Sequence, residues 1–443
     1  MGEVRVAQWL VRSGGRGGRK DDAMKWVFAK RGIGLFFLAF CGVASRGSDW
    51  PQWRGPGRDG KSAETGLLKH WGAEGLKPLW VAEGLGQGLA TVAVAGGLIY
   101  ATGMAKESQE GAVSVFDLSG KLKTRITYGP EWKKSYPGGR HTPTLDGGRI
   151  YLMTGFGRLV CVDAQAGAVA WSEDVAGKYG GIAPVHGFAE APLVDGDKVI
   201  CTPGGKDASL VALDKRTGRT LWTSSGLSEQ SAYCSPILVE RGATRQVVTI
   251  LAKHLVGLNV ETGKLIWSHP QDSDAQDPNH AITPAYCGGV IYATSSHGKG
   301  GQLLELSPDG LKIRQKWADQ TLNSNHGGVV IVDGYVYGAN LKSRWVCLSL
   351  RDGEVMYATN SVKGGSLTYA DGMLYCYGDN GVMGLVKASA KSHELAGRMK
   401  IGHGNGPHWS HPVISGGRLY IRHGDALLAY ALTLKDATAV PSR

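Results

Sequence analysis

Apolar residues in this chain come in short runs of four to six positions, each run ended by glycine, asparagine or aspartate turns. The stretch 189–223 sets the pattern. A small-residue entry ends at Pro192, and the turn Asp195-Gly196 leads to Val199-Ile200. A second run, Leu210-Val211-Ala212-Leu213, passes through Thr217-Gly218 to Leu221-Trp222. Runs of this length with turn residues between them predict strands of an antiparallel sheet rather than helices.

The unit recurs. A glycine followed by an apolar run and an aromatic, or a close variant, ends at Tyr100, Tyr151, Ile200, Tyr292, Tyr337, Tyr375 and Tyr420. The double-length gap between Ile200 and Tyr292 is filled by a degenerate copy at Arg245-Gln246-Val247-Val248-Thr249, which makes eight units. The last strand of a unit carries a large aromatic after a turn glycine: Trp171, Trp222, Trp267, Trp317 and Tyr357. A ring of that size at a fixed position is expected to pack between neighbouring sheets, because it buries on the order of 150 Å² or more. The eighth unit ends after three strands, and an isolated strand around Trp80 precedes the first. A circle closed by strands from both termini accounts for both oddities and hides the open edges. The fold expected is therefore all-β: an eight-bladed β-propeller of four-stranded antiparallel blades, with seven blades if the 231–268 copy is irregular.

Composition adds a targeting signal and removes one class of partner. Of the net charge of +11, residues 1–45 hold five, and the remaining charges are scattered without a basic run among aromatics, which does not fit a nucleic-acid binder. Residues 1–23 read as an upstream extension before Met24. Residues 24–46 read as a signal peptide, with Lys25, Lys30 and Arg31 before the apolar run 32–40 and small residues after it. That run is shorter than the roughly 20 residues of a membrane span. The mature chain is expected to be exported to the periplasm or cell envelope, without a membrane span and as a monomer. It would comprise a lead-in (47–75), the propeller (76–432) and a tail (433–443). Cys161 and Cys347 hold one repeat position, and Cys201 and Cys376 another, so the cysteines read as buried thiols rather than bridges.

The core Leu-Val-Ala-Leu-Asp-x-x-Thr-Gly-x-x-x-Trp at 210–222 resembles the repeat of the pyrroloquinoline-quinone (PQQ)-like β-propellers. Trp50-Pro51-Gln52-Trp53-Arg54-Gly55-Pro56 resembles the opening of exported members of that family. The resemblance implies two functional classes. One is quinoprotein dehydrogenases of alcohols or sugars, with PQQ and Ca²⁺ on the axis. The other is non-enzymatic scaffolds similar to BamB. Fold does not choose between them. No vicinal cysteines occur, and neither the calcium ligand set nor the catalytic aspartate can be matched to a motif.

Candidate chemistry sits where the chain enters each innermost strand, near the axis. These entries hold Arg140, His141, Glu190, Tyr233, His280, His326, His408 and Trp409. Either they form a ring of imidazoles with one carboxylate, suited to a metal or an anion, or they tie down strand ends and line a wet channel. The glycine-rich loop 295–301 lacks phosphate-loop spacing, and Asp272, Asp274 and Asp277 lack the rest of a calcium loop. The expected role is a binding or scaffolding module that receives a protein partner or small ligand on this face. The alternative is a PQQ- and calcium-dependent dehydrogenase.

Overall fold

Most of the first three strands of each repeat are buried almost throughout, on both faces of the sheet, which stacks the repeats face to face into a ring of eight sheets. The computed structural model describes residues 49–271, 279–296 and 300–434. The expectations for the extension and signal peptide, for Asp272, Asp274 and Asp277, and for most of the tail lie outside them. Seven sheets run in chain order from inner to outer strand, beginning at Ala93–Ala95, Thr144–Asp146, Leu193–Asp195, Ile237–Arg241, Ala285–Cys287, Val329–Val332 and Gly365–Ala370. We number these blades 1 to 7. Val175–Lys178 forms a single helical turn, and among the described residues no helix is long and apolar enough to cross a membrane. The degenerate copy at 244–250 is a full blade, with regular antiparallel pairing of Thr244–Ile250 on both sides. All six described cysteines are unpaired, and five are buried.

Blade 8 is made from both ends of the chain. Val413–Ser415, Arg418–His423 and Ala426–Ala431 supply three strands, and Pro78–Ala82 is the fourth, with Trp80 opposite Ala429 and Ala82 opposite Leu427. Arg422 ties the seam by donating to the carbonyls of Thr102 and Gly86 on the blade 1 side.

The repeated tryptophan works between blades. Trp171 of blade 2 donates its indole N–H to Lys215 O of blade 3 at 3.1 Å, and its ring covers Gly218 of the same turn. Trp222 does the same to Val260 O (3.0 Å) over Gly263, Trp317 to Leu350 O (3.2 Å) over Gly353, and Trp80 to Leu118 O (2.9 Å) over Gly120. Trp267 departs from this rule and donates to Gln246 Oε1 within its own blade at 2.6 Å. Tyr357 packs against the cluster that joins blades 6 and 7. Gly120, Gly218, Gly263 and Gly353 therefore each serve the tryptophan of the preceding blade. A Cβ on Gly263 would stand 2.4 Å from the Trp222 ring at φ +69°, whereas one on Gly167, also at positive φ, meets nothing within 4 Å. Gly263→Ala is expected to cost about 3 to 4 kcal/mol in urea unfolding, and Gly167→Ala about 1 to 2 kcal/mol from backbone strain alone.

The lead-in is not a loose preface. It crosses the axis and bonds to every blade. Trp50 exchanges backbone hydrogen bonds with Val94 of blade 1, and Leu145 N–H of blade 2 donates to Pro51 O. The Arg58 guanidinium donates to Ala191 O and Pro192 O at the start of blade 3 and to Pro236 O at the start of blade 4. Trp53 Nε1–H donates to Thr283 Oγ1 at the entry of blade 5 (2.8 Å), and Arg54 donates to Val329 O of blade 6. Lys61–Ser62 adds a parallel strand to blade 7, and the Glu64 carboxylate accepts from Gly416 and Gly417 N–H of blade 8.

Candidate functional site

The lead-in runs beside the starts of the inner strands, and the residues that enter those strands, together with its Trp53, line a cavity of about 360 Å³. Its wall is largely aromatic. The rings of His326, Trp409, Tyr136, His186 and Tyr233 form a continuous arc, with successive centroids 4.9, 4.8, 5.5 and 6.1 Å apart. Asn279, Asn325, Ser235 and Thr142 also line the cavity. Among the described lining residues there is no carboxylate.

Arg140 supplies the cavity's formal charge. Its Nη2 donates to Ser135 O (2.5 Å) and to Tyr136 O, while Nε is buried without a partner and Nη1 makes no hydrogen bond within the protein. Among the described residues no ion pair holds it, and its guanidinium carbon lies 6.0 Å from the centroid of the Trp132 ring. Burial lowers its pKa to about 10, with the charge of Glu131 acting in the other direction. Tyr136 and Tyr233 both hold positive φ, +49° and +68°. That conformation is costly for a bulky residue and concentrates at functional sites.

Of the residues singled out in the sequence, Arg140, Tyr233, His326 and Trp409 come together around this cavity. The other four, His141, Glu190, His280 and His408, do not line it. His141 turns inward beside Arg140 and is buried against Glu131, 3.6 Å away and too far for a hydrogen bond. Burial, with repulsion from Arg140 and Arg422, lowers its pKa to about 3, so the ring stays neutral. Glu190 is also buried. It accepts from Thr202 N–H (2.6 Å) and from the Thr202 hydroxyl, and burial raises its pKa to about 7. His280 is fully buried, with its backbone N–H donating to Ala232 O. His408 lies outside the arc, stacked on His423 at 3.7 Å and bonded to Tyr377 OH at 2.6 Å. The imidazole ring expected around the axis is thus reduced to His326 plus one residue absent from that set, His186. Its Nδ1 bonds Ser135 Oγ at 2.8 Å, and its backbone N–H donates to Tyr233 OH at 3.1 Å.

Trp53, Tyr136 and His186 were not legible as cavity residues. Tyr136 and His186 come from the connectors 131–143 and 180–191, and Trp53 from the lead-in, all outside the strand pattern. The only signal was local: aromatic residues among Pro and Gly in unusually long connections.

A family model described as outer membrane protein assembly factor BamB matches residues 79–359. The chain belongs to this PQQ-like propeller family. In structure it is similar to BamB from Moraxella catarrhalis, with a TM-score of 0.58 and 17% identity over 80% of this chain and 99% of that one. It is also similar to a quinohemoprotein alcohol dehydrogenase from Pseudomonas putida HK5, with a TM-score of 0.61 and 13% identity over 89% of this chain and 81% of that one. These likenesses establish the fold alone. A quinoprotein ethanol dehydrogenase from Pseudomonas aeruginosa is 27% identical over 159 residues, which take in 32% of this chain and only 25% of that protein's length.

The family's dehydrogenase branch implies PQQ and Ca²⁺, and the residues at this site do not fit them. Calcium needs several hard oxygen ligands, and the reaction needs a carboxylate base. The described cavity wall offers two amides and the hydroxyls of Thr142, Ser235, Tyr136 and Tyr233 but no carboxylate, and among the described residues no group of three or more His, Cys, Asp or Glu could hold a metal. Glu190, the nearest acid in sequence to the lining residues Ala189 and Ala191, has both oxygens bonded to Thr202.

Proposed function

We propose that this propeller is a binding module, and that its ligand or a partner's side chain enters the axial cavity on the face where the inner strands begin. The observation that carries this reading is a pocket with an aromatic arc and one guanidinium that has no ion pair among the described residues, with no described acid positioned to ligate a cation or take a substrate proton. Such a site has the apolar body and few convergent polar groups of a recognition pocket. Exposed Tyr136, Phe156, Ile182 and Val185 extend apolar surface outward from one side of the mouth, which suits a protein partner docking there. Export to the periplasm or cell envelope as a monomer, through the sequence at 24–46, belongs to the same proposal. Fractionation of cells producing the full chain would place it.

The test sets binding against turnover. The protein mixed with PQQ and Ca²⁺ is expected to reduce no dye with alcohols or sugars. Trp409→Ala, with the fold intact by circular dichroism, is expected to lose at least about tenfold in affinity for whatever the wild type retains, since it removes a central aromatic anchor. Stoichiometric PQQ binding with turnover would replace this reading by the dehydrogenase.

A further inference from the structure

Two features of the cavity limit what it can hold. The first is the orientation of its rings. Neighbouring rings in the arc are tilted by 33° to 68°, so no two adjacent faces lie parallel. A flat conjugated ligand is best held between parallel faces, whereas a puckered ring with C–H bonds on both sides and at its edge can lay them on tilted aromatic faces. The second is the distribution of polar groups. Asn279, Asn325, Ser235 and Thr142 line the cavity together with the aromatic arc, so it offers neutral donors and acceptors of the kind the hydroxyls of a pyranose require. The volume, about 360 Å³, admits a monosaccharide or the end of a chain rather than a long polymer.

Arg140 adds charge selection. A guanidinium without an ion pair among the described residues, its Nη1 unbonded and its Nε buried without a partner, is an incomplete arrangement. A carboxylate is the planar acceptor that matches its fork. The positive φ of Tyr136, whose carbonyl accepts from Arg140, and of Tyr233 across the cavity is independent evidence that this wall is held in a costly shape.

We propose that the axial cavity binds a hexuronic acid, with the pyranose ring against Trp409 and Tyr136 and the carboxylate on Arg140. The inference rests on the binding-module reading and specifies its ligand. The hexuronate has two sources, the free monosaccharide and the terminal unit of an acidic oligosaccharide.

The experiment is calorimetric titration of the full chain with glucuronate, galacturonate and a short oligogalacturonate, against glucose, galactose and benzoate. Uronates are expected to bind at least about tenfold more tightly than the neutral sugars and than benzoate. Tighter binding of the oligomer than the monomer identifies a chain end, and equal binding the free acid. Arg140→Met should weaken uronate binding about 10- to 100-fold while leaving neutral sugars unchanged, which erases the discrimination. Trp409→Ala should weaken both classes alike. Arg140→Lys, which keeps the charge without the fork, guards against a folding defect and should fall between wild type and Arg140→Met. Equal affinity for neutral sugars, benzoate binding as tightly as uronate, or an unchanged uronate-to-glucose ratio in Arg140→Met would overturn the proposal. In each of those cases the cavity still binds, so the module reading stands. No binding of any class, together with partner retention unaffected by Trp409→Ala, would overturn both.

Discussion

Glu190→Gln is expected to make the protein about 2 kcal/mol more sensitive to acid than wild type between pH 6.5 and pH 4.5. Burial raises the Glu190 pKa from 4.5 to about 7. The folded state therefore holds a proton that the unfolded chain releases, and the resulting stability is fully present below 4.5 and is lost as pH rises through 7. His141 and His411 act in the opposite sense. Burial lowers both from 6.5 to about 3, with Arg140 and Arg422 facing His141, and Arg54 and His326 facing His411. Each ring stays neutral in the fold and is protonated only on unfolding, so stability falls as pH drops below 6.5. Over those two pH units the pair costs about 5 kcal/mol and Glu190 returns about half of it. The glutamine variant removes the returned half. Urea unfolding of both proteins at the two pH values measures the difference, and parallel behaviour would show that Glu190 ionises as freely in the fold as out of it.

Arg58→Ala is expected to destabilise the ring by about 3 to 5 kcal/mol. Arg58 is buried, and its guanidinium bonds carbonyls at the starts of blades 3 and 4 and Thr144 Oγ1 of blade 2 (3.3 Å). Truncation leaves those acceptors in a dry interior, where an orphaned polar group costs about 1 to 3 kcal/mol. Arg58→Lys should recover little of the loss, because one ammonium on a flexible stem cannot span three blades. The same substitution has a second consequence. The charge of Arg58 lowers the Glu190 pKa against the effect of burial, so its loss should push Glu190 higher still. Denaturant midpoints give the first quantity, and the pH dependence of those midpoints gives the second. A midpoint within about 0.5 kcal/mol of wild type would mean that the lead-in rests on the propeller without holding it.

The blades were legible because their signal is short-range. A strand, a turn and a tryptophan recur within one unit, and the missing strand of the last unit had one unclaimed candidate, Trp80, which pairs opposite Ala429. The tryptophan motif was legible in its residues but not in its partners. Gly218 and Trp222 are neighbours in sequence, yet Gly218 lies under Trp171 and Trp222 lies over Gly263. The lead-in read as a loop because it has no repeat to betray it. Its Trp50, Arg54 and Arg58 find partners only once eight inner strands surround them.

By itself the sequence determined the all-β class, the eight units, the closure by both ends and the set of entry residues near the axis. Only the tertiary structure decided which of those residues face the cavity. Arg140 and Trp409 line it, whereas their neighbours His141 and His408 do not. The physical reason is that extended backbone sends successive side chains to opposite sides. At Arg140-His141 and His408-Trp409 one member of the pair reaches the cavity, whereas Asn325 and His326 both line it, so which residues reach it depends on the rotation of each blade about the common axis. That rotation is set by packing against blades tens to hundreds of residues away, and by a lead-in that bonds to all of them at once.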